Sequence, residues 1–132
     1  EIHWDKINID QPVEAFLWQP SRADNQRFLD TMRDELPLYH LEEAPYIHPH
    51  HLLSECNQAL MRIFDLPAWI HTGTTMVMRE AIRVGDAIDV RTIPIDKWEK
   101  KGHQFIKLYI VMRRGEVVVF EAEHSAIFRI AG

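Results

Sequence analysis

The chain has 132 residues, 46 % apolar and 27 % charged, and its fifteen Lys and Arg against twenty Asp and Glu leave a net charge of −5. That is the length and balance of one globular domain spanning residues 1–132, without the basic stripe of a nucleic-acid binder. No run of about 18 apolar residues is available to cross a bilayer as a helix, and a lone cysteine, Cys56, excludes a disulfide framework and a CxxC metal or redox motif. No signal-peptide pattern is legible, so a reducing, cytoplasmic setting is expected, and a start at Glu1 leaves room for residues ahead of it. The charge is uneven: residues 1–66 hold five basic and twelve acidic side chains, residues 67–132 ten and eight.

In chain order, Val13–Trp18 reads as a strand. Ser21 with Asp24 three residues on makes a capping box that opens a helix carrying Phe28, Leu29 and Met32. Residues 35–49 are irregular, interrupted by Pro37, Pro45 and Pro49. Pro49 suits the first turn of a second helix, where its missing N–H costs nothing. Leu53, Cys56, Leu60, Ile63 and Phe64 recur at helical spacing along it, and Pro67 ends it. This is the most apolar helix of the chain and is expected to be wrapped.

The second half alternates instead. Trp69–Arg79 is β-branched and aromatic enough for a strand. Gly85-Asp86 makes a turn ahead of Ile88, Val90 and Thr92. Ile106, Leu108, Ile110 and Met112 share a face in 103–113, and Arg114-Gly115 turns the chain into 117–130. There Val118, Phe120, Ala122, His124, Ala126, Phe128 and Ile130 are expected on one face, with Val117, Val119, Glu121, Glu123 and Arg129 on the other. The class is α+β: an apolar helix laid on a curved antiparallel sheet.

Three stretches resemble a known family. Val84-Gly85-Asp86-Ala87-Ile88 is similar to its "PGD-apolar" turn. Ala44-Pro45-Tyr46-Ile47-His48 is similar to the "GPIxHG" approach to its helix. Asp34-Glu35-Leu36-Pro37-Leu38-Tyr39 resembles its Asp-x-Asn-Pro-x-His motif. Together with the element order over residues 13–130, these resemble the hotdog fold, and within it the MaoC-like (R)-specific enoyl-CoA hydratases and dehydratases. The resemblance implies a long central helix wrapped by the sheet and a homodimer paired through its sheets. It also implies an acyl-CoA or acyl-carrier thioester as substrate, with coenzyme A part of that substrate and no separate cofactor. One hotdog unit is shorter than the two-unit hydratases, so a complete site would need a second copy or a partner.

In that family the Asp and His serve as an acid/base pair on the water that adds to the enoyl thioester. Helix-start N–H groups take up the charge that develops on the thioester oxygen. Here Asp34 and Pro37 match, Leu36 stands for Asn and Tyr39 for His, and a tyrosine, titrating near pH 10 in water, is a poor base at neutral pH. A second register, Glu43 to His48, keeps the five-residue spacing between carboxylate and imidazole. The bland alternative has His48 capping the helix and Glu43 in solvent.

Other residues carry chemistry by type. His48, His50 and His51 cluster, but adjacent histidines point apart at a helix start and lack carboxylate or thiolate support, so no metal is assigned. Glu55 on the apolar helix is where hotdog thioesterases carry their carboxylate, and would be a base if it faces a groove. An exposed Glu is the plain alternative. Asn57 is placed to bind a ligand carbonyl or bridge a dimer. His124, on an apolar strand face, reads first as a core histidine, with a place beside the acyl chain as its functional version; His71 and His103 have weaker claims. Cys56 reads as packing. Arg79, Arg83, Arg113 and Arg114 gather at one end of the strands, and Lys97, Lys100 and Lys101 at the other; either set suits the phosphates of coenzyme A, with Arg79, Arg113 and Arg114 taken as binding residues, and plain solvation is the usual alternative. The four tryptophans, Trp4, Trp18, Trp69 and Trp98, are many for this length and suit a dimer surface.

Three functions therefore compete. The first is hydration of a 2-enoyl thioester or dehydration of a 3-hydroxyacyl thioester. The second is thioester hydrolysis with Glu55 as base. The third is a non-catalytic hotdog unit that completes a dimer or a partner complex.

Overall fold

A computed structural model describes residues 4–33, 36–40, 42, 45–63 and 70–129. The alternating segments form strands β1 (Glu14–Trp18), β2 (Ile70–Met78), β3 (Ile88–Lys100), β4 (His103–Arg114) and β5 (Val117–Arg129), and the two helical segments form α1 (Arg22–Met32) and α2 (Pro49–Ile63). All five strands join one antiparallel sheet in the order β1-β3-β4-β5-β2. This is the α+β architecture expected. Strands β1 and β2 are its edges.

Period two decides which side chains go inside. Ile106, Leu108, Ile110 and Met112 of β4 are completely covered. Their cross-strand partners, Val90, Thr92 and Pro94 on β3 and Phe120, Ala122, His124 and Ala126 on β5, are buried beside them. Leu52 and Cys56, one turn apart on α2, join the same core, so this helix lies against the inner face. Full burial of one such Leu or Ile contributes about 1.5–3 kcal/mol.

Two departures from strict alternation have local causes. Val119, expected outside, is fully buried, whereas Val118 is half-buried. The register slips between Met112 and Arg113, so that Phe120 faces Met112 but Val118 faces Arg113. Val119 is the extra residue of this bulge, and its carbonyl accepts from the N–H groups of Arg79 (2.9 Å) and Glu80 (3.2 Å). In β3 the strand runs through Pro94, which cannot donate to a ladder. A second slip lies between Pro94 and Asp96, and the Pro94 carbonyl accepts from the Asp10 N–H at 2.7 Å.

The caps behave as their chemistry requires. Ser21 Oγ accepts from the Asp24 N–H at 3.1 Å, which caps α1. Arg33 closes that helix in the left-handed region, at φ 56°. The β4–β5 turn uses Gly115 at φ +61°, a conformation glycine adopts without a Cβ clash. Beside it, Arg114 donates to the Ala81 carbonyl (3.1 Å), Asp86 (3.1 Å) and Glu80 (2.9 Å), tying the two turns at this end of the sheet together.

Candidate functional site

The approach to α2 is held in place from both sides. The Ile47 N–H donates to the Ile82 carbonyl (2.8 Å) and the Val84 N–H to the Pro45 carbonyl (2.8 Å), while the Arg83 guanidinium lies 4.7 Å from the Tyr46 ring centre. The Tyr46 N–H donates to the Leu38 carbonyl (3.0 Å), which brings the one-turn helix Pro37–Tyr39 alongside. Asn25, buried on α1, donates its side-chain amide to the Tyr39 carbonyl at 3.4 Å. Neither contact is local in sequence, and together they set His48 against Tyr39.

The two motif segments converge here. The rings of Tyr39 and His48 are 4.9 Å apart, and Phe28 of α1 stands 5.6 Å from His48. Phe28 also stacks nearly parallel on His51 at 5.0 Å, and Trp18 meets His51 edge-on at 5.7 Å. His51 is only 8 % exposed, and among the described residues its Nδ1 finds no hydrogen-bond partner. Burial lowers its pKa below the ordinary histidine value, against a smaller opposing pull from the Asp24 carboxylate, while neighbouring His48 lowers it further. The ring is thus held neutral at pH 7.

Beside this stack, α1 and α2 border an open depression of about 520 Å³. It is lined by Asp24, Arg27, Phe28 and Thr31 from α1, by His51, Ser54, Glu55 and Gln58 from α2, and by Trp18. On each helix the spacing is i, i+3, i+4, i+7, a single face. Arg27 is ion-paired with Asp24 one turn before it.

The residues singled out from sequence fall as follows. His48 and Tyr39 come together. Glu55 is half-buried and lines the depression. Asp34 and Glu43 lie outside the described residues, as does the side chain of Asn57, whose backbone belongs to α2. Arg79 is ion-paired with Glu121 at 2.5 Å, and Arg114 with Glu80 and Asp86. Arg113 is half-buried beside the Tyr109–Glu121 pair. At the opposite end, Lys97 donates to the Trp4 carbonyl at 3.1 Å and lies over its ring. His124 is fully buried, with its Nδ1 2.6 Å from Thr74 Oγ1. Cys56 is fully covered, and burial pushes its thiol up to about 12, so it packs and does not react. Among the described residues no group of His, Cys, Asp and Glu is arranged to hold a metal ion, and no helix is long and apolar enough to cross a membrane.

In the sequence Asp24 and Phe28 carry only local structural signals, Trp18 suits a strand end or a dimer surface, and His51 is one of a histidine cluster. Asp24, Arg27 and Thr31 share an exposed face of α1, and a polar repeat of that kind reads as ordinary surface, so it carried no signal for the depression.

No family model and no curated protein matches this sequence. Solved structures do. A monoamine oxidase regulatory protein from Archaeoglobus fulgius superposes with TM-score 0.77 at 16 % identity, covering 99 % of this chain and 96 % of that one. The unliganded (R)-hydratase PhaJ1 from Pseudomonas aeruginosa gives 0.75 at 15 % identity, over 97 % and 85 %. A MaoC-like dehydratase from Rhodospirillum rubrum gives 0.73 at 15 % identity, over the whole of both chains. The matches include a complex, HadBC (3R-hydroxyacyl-ACP dehydratase) from Mycobacterium tuberculosis, at 0.68 and 14 % identity over 90 % and 99 %. The fold is the hotdog fold of the MaoC-like proteins.

Proposed function

We propose that the chain acts on acyl thioesters in the manner of a hydratase or dehydratase, interconverting a 2-enoyl and a 3-hydroxyacyl thioester. The observation that carries this reading is the meeting of Tyr39 and His48 at the start of α2. Hydration needs a base for water as it attacks C3, an acid to protonate C2, and donors for the charge on the thioester oxygen. An imidazole is the side chain whose ordinary range spans neutral pH, and His48 is assigned as the base. Tyr39, beside it, is assigned to orient the water through its hydroxyl, and a carboxyl group from Asp34 or Glu43 is assigned as the acid. At the start of α2, Pro49 has no N–H and the His51 N–H goes to the His48 carbonyl at 2.9 Å, so the His50 N–H is the first-turn donor for the thioester oxygen. The fold shared with a hydratase and a dehydratase supports the reading.

Glu55 in the wall of the depression favours one other reading, thioester hydrolysis with Glu55 as base. A paired assay on crotonyl-CoA separates the two. Loss of enoyl absorbance without thiol release is expected. Thiol release would assign hydrolysis, and silence in both readouts across acyl lengths would leave a binding or structural unit.

The proposed assembly is a homodimer formed along β2. This edge strand exposes Met76, Val77 and Met78, and the first and third point to the inner face, where their partners are Ala122 and Phe120. Unpaired edges with apolar side chains invite a second strand. A dimer by light scattering at micromolar concentration is expected, and a monomer would remove this surface from the account.

A further inference from the structure

Tyr39 and His48 lie on different segments, and α1 touches both. Asn25 and Phe28, one turn apart on one face of that helix, reach the two members separately. The Asn25 side-chain amide donates to the Tyr39 carbonyl at 3.4 Å, and the Phe28 ring stands 5.6 Å from the His48 ring. At this end α1 rests on His51. Phe28 stacks on the His51 ring at 5.0 Å, nearly parallel, and Trp18 of β1 meets the same ring edge-on at 5.7 Å. His51 belongs to α2, whose Leu52 and Cys56 are sunk in the sheet core. Its ring is therefore the joint between a helix anchored in the core and a helix that reaches the pair.

The surroundings of that joint suit an uncharged ring. His51 is 8 % exposed, and its Nδ1 finds no hydrogen-bond partner among the described residues. The charged and titratable groups around it do little for an imidazolium. From α1 comes Asp24, whose exposed carboxylate is already ion-paired with Arg27. Ahead of α2 stands His48, which opposes a second positive charge. Along α2, Glu55 lies one turn on and lines the same depression. From β1 the ring meets Trp18, which carries no charge. A charged His51 would gain some attraction to the Phe28 face. It would also give up hydration that nothing in the stack replaces, and that loss is the larger effect.

We propose that His51 is a positioning residue for the Tyr39–His48 pair: its uncharged ring latches α1 onto α2, and a proton on that ring releases α1 and parts Tyr39 from His48. Linkage fixes the direction. In the released state the ring is hydrated and titrates near the ordinary histidine value of about 6.5. In the latched state it resists the proton. Release therefore becomes easier as pH falls through that range, by up to about thirtyfold at pH 5.0 relative to pH 7.5. The latch concerns how the pair is held and stands apart from the hydratase reading. On that reading, release switches the site off in acid.

Native-state amide exchange of the full chain tests this without turnover, so a failure of the hydratase reading does not touch it. The amides of α1 report the latch itself. The Tyr46 amide, bonded to the Leu38 carbonyl, reports the seating of Tyr39, and the Ile47 amide, bonded to the Ile82 carbonyl, is the control. In wild type, protection of α1 and Tyr46 is expected to fall about five- to thirtyfold from pH 7.5 to 5.0, after correction for intrinsic exchange. Ile47 should fall less, and the α1 opening should depend only weakly on sub-denaturing urea. In His51→Phe, which keeps the stack without a titrating nitrogen, the fall should be below about threefold. Phe28→Leu, which breaks the stack, should lower the protection of α1 and Tyr46 already at pH 7.5. Should His51→Phe fail to fold, His51→Gln replaces it, with lower protection throughout and the same lack of pH dependence. A fall in the His51 variant as large as in wild type would overturn the proposal by assigning the titration to another group. So would wild-type protection that does not change with pH, or α1 exchange that follows urea as steeply as that of β4.

Discussion

On the inner face of the sheet, Ile106, Leu108, Ile110 and Met112 are covered to the last atom, and α2 seats Leu52 and Cys56 upon them. Where α1 faces α2, the opposed positions are Asp24, Arg27 and Thr31 against His51, Ser54, Glu55 and Gln58. Both regions come from side chains repeating on one face. In the first the repeat is apolar and the two layers close. In the second it is polar and mostly exposed, although Asn25 Oδ1 and His51 Nδ1 are buried there without a hydrogen-bond partner among the described residues. Polar groups held at a cost against burial mark the place where chemistry or binding is to be sought.

The contrast can be broken first on the sheet. Leu108→Ala leaves a cavity with no room to collapse, and is expected to cost about 2–5 kcal/mol in urea unfolding. The specific activity of the folded fraction should be unchanged. A loss below about 1 kcal/mol would mean that the sheet core is not close-packed.

The helical region should respond to pH instead. His51 has a folded-state pKa below its unfolded value, so as pH falls through the ordinary histidine range the unfolded chain takes up a proton that the folded chain refuses. Stability is therefore lost on acidification from that range downward. In His51→Phe the ring stack on Phe28 is kept and this part of the loss disappears. Urea midpoints at pH 7.5 and 5.5 should differ more in wild type than in the variant, and equal differences would mean that His51 is not held neutral.

A smaller effect is expected at the start of α1, where Ser21→Ala removes the cap on the Asp24 N–H and should cost about 1 kcal/mol. Because the cap is local to α1, the same change should speed amide exchange in that helix and leave the sheet unaltered.

On the outer face of the sheet the effect should be mainly spectroscopic. Burial, and next the hydrogen bond to Glu121, push Tyr109 up to about 12, while that bond and then Arg79 hold Glu121 below the usual carboxylate range. In Glu121→Gln the last tyrosine to ionise in an ultraviolet titration should move down toward the ordinary value. Stability should change by less than about 1 kcal/mol, since the group is close to solvent.

The two regions also differ in how far the sequence disclosed them. Alternation places Ile106 to Met112 and Phe120 to Phe128 without ambiguity, because period two is a local property. Ser21 and Pro49 likewise mark their helix starts through their own chemistry. Val119 escaped because a bulge adds one residue to one strand, and the slip follows from pairing with β4, not from the run of valines itself. The depression escaped for a related reason. Trp18, Phe28, Tyr39, His48 and His51 meet only through contacts such as Asn25 to the Tyr39 carbonyl and Tyr46 to the Leu38 carbonyl, which no local spacing encodes. His48 and Tyr39 were legible as motif members, but their approach to one another was not.

The proposed role of His48 is acid/base work on an enoyl thioester beside Tyr39. Its most direct test is the steady-state consumption of crotonyl-CoA by wild type and His48→Ala, with the fold of each checked by thermal unfolding. The account predicts hydration by wild type and a fall in kcat of about 10²–10⁴-fold in the variant, with little change in melting temperature. Hydration that survives intact in a folded His48→Ala protein would contradict it.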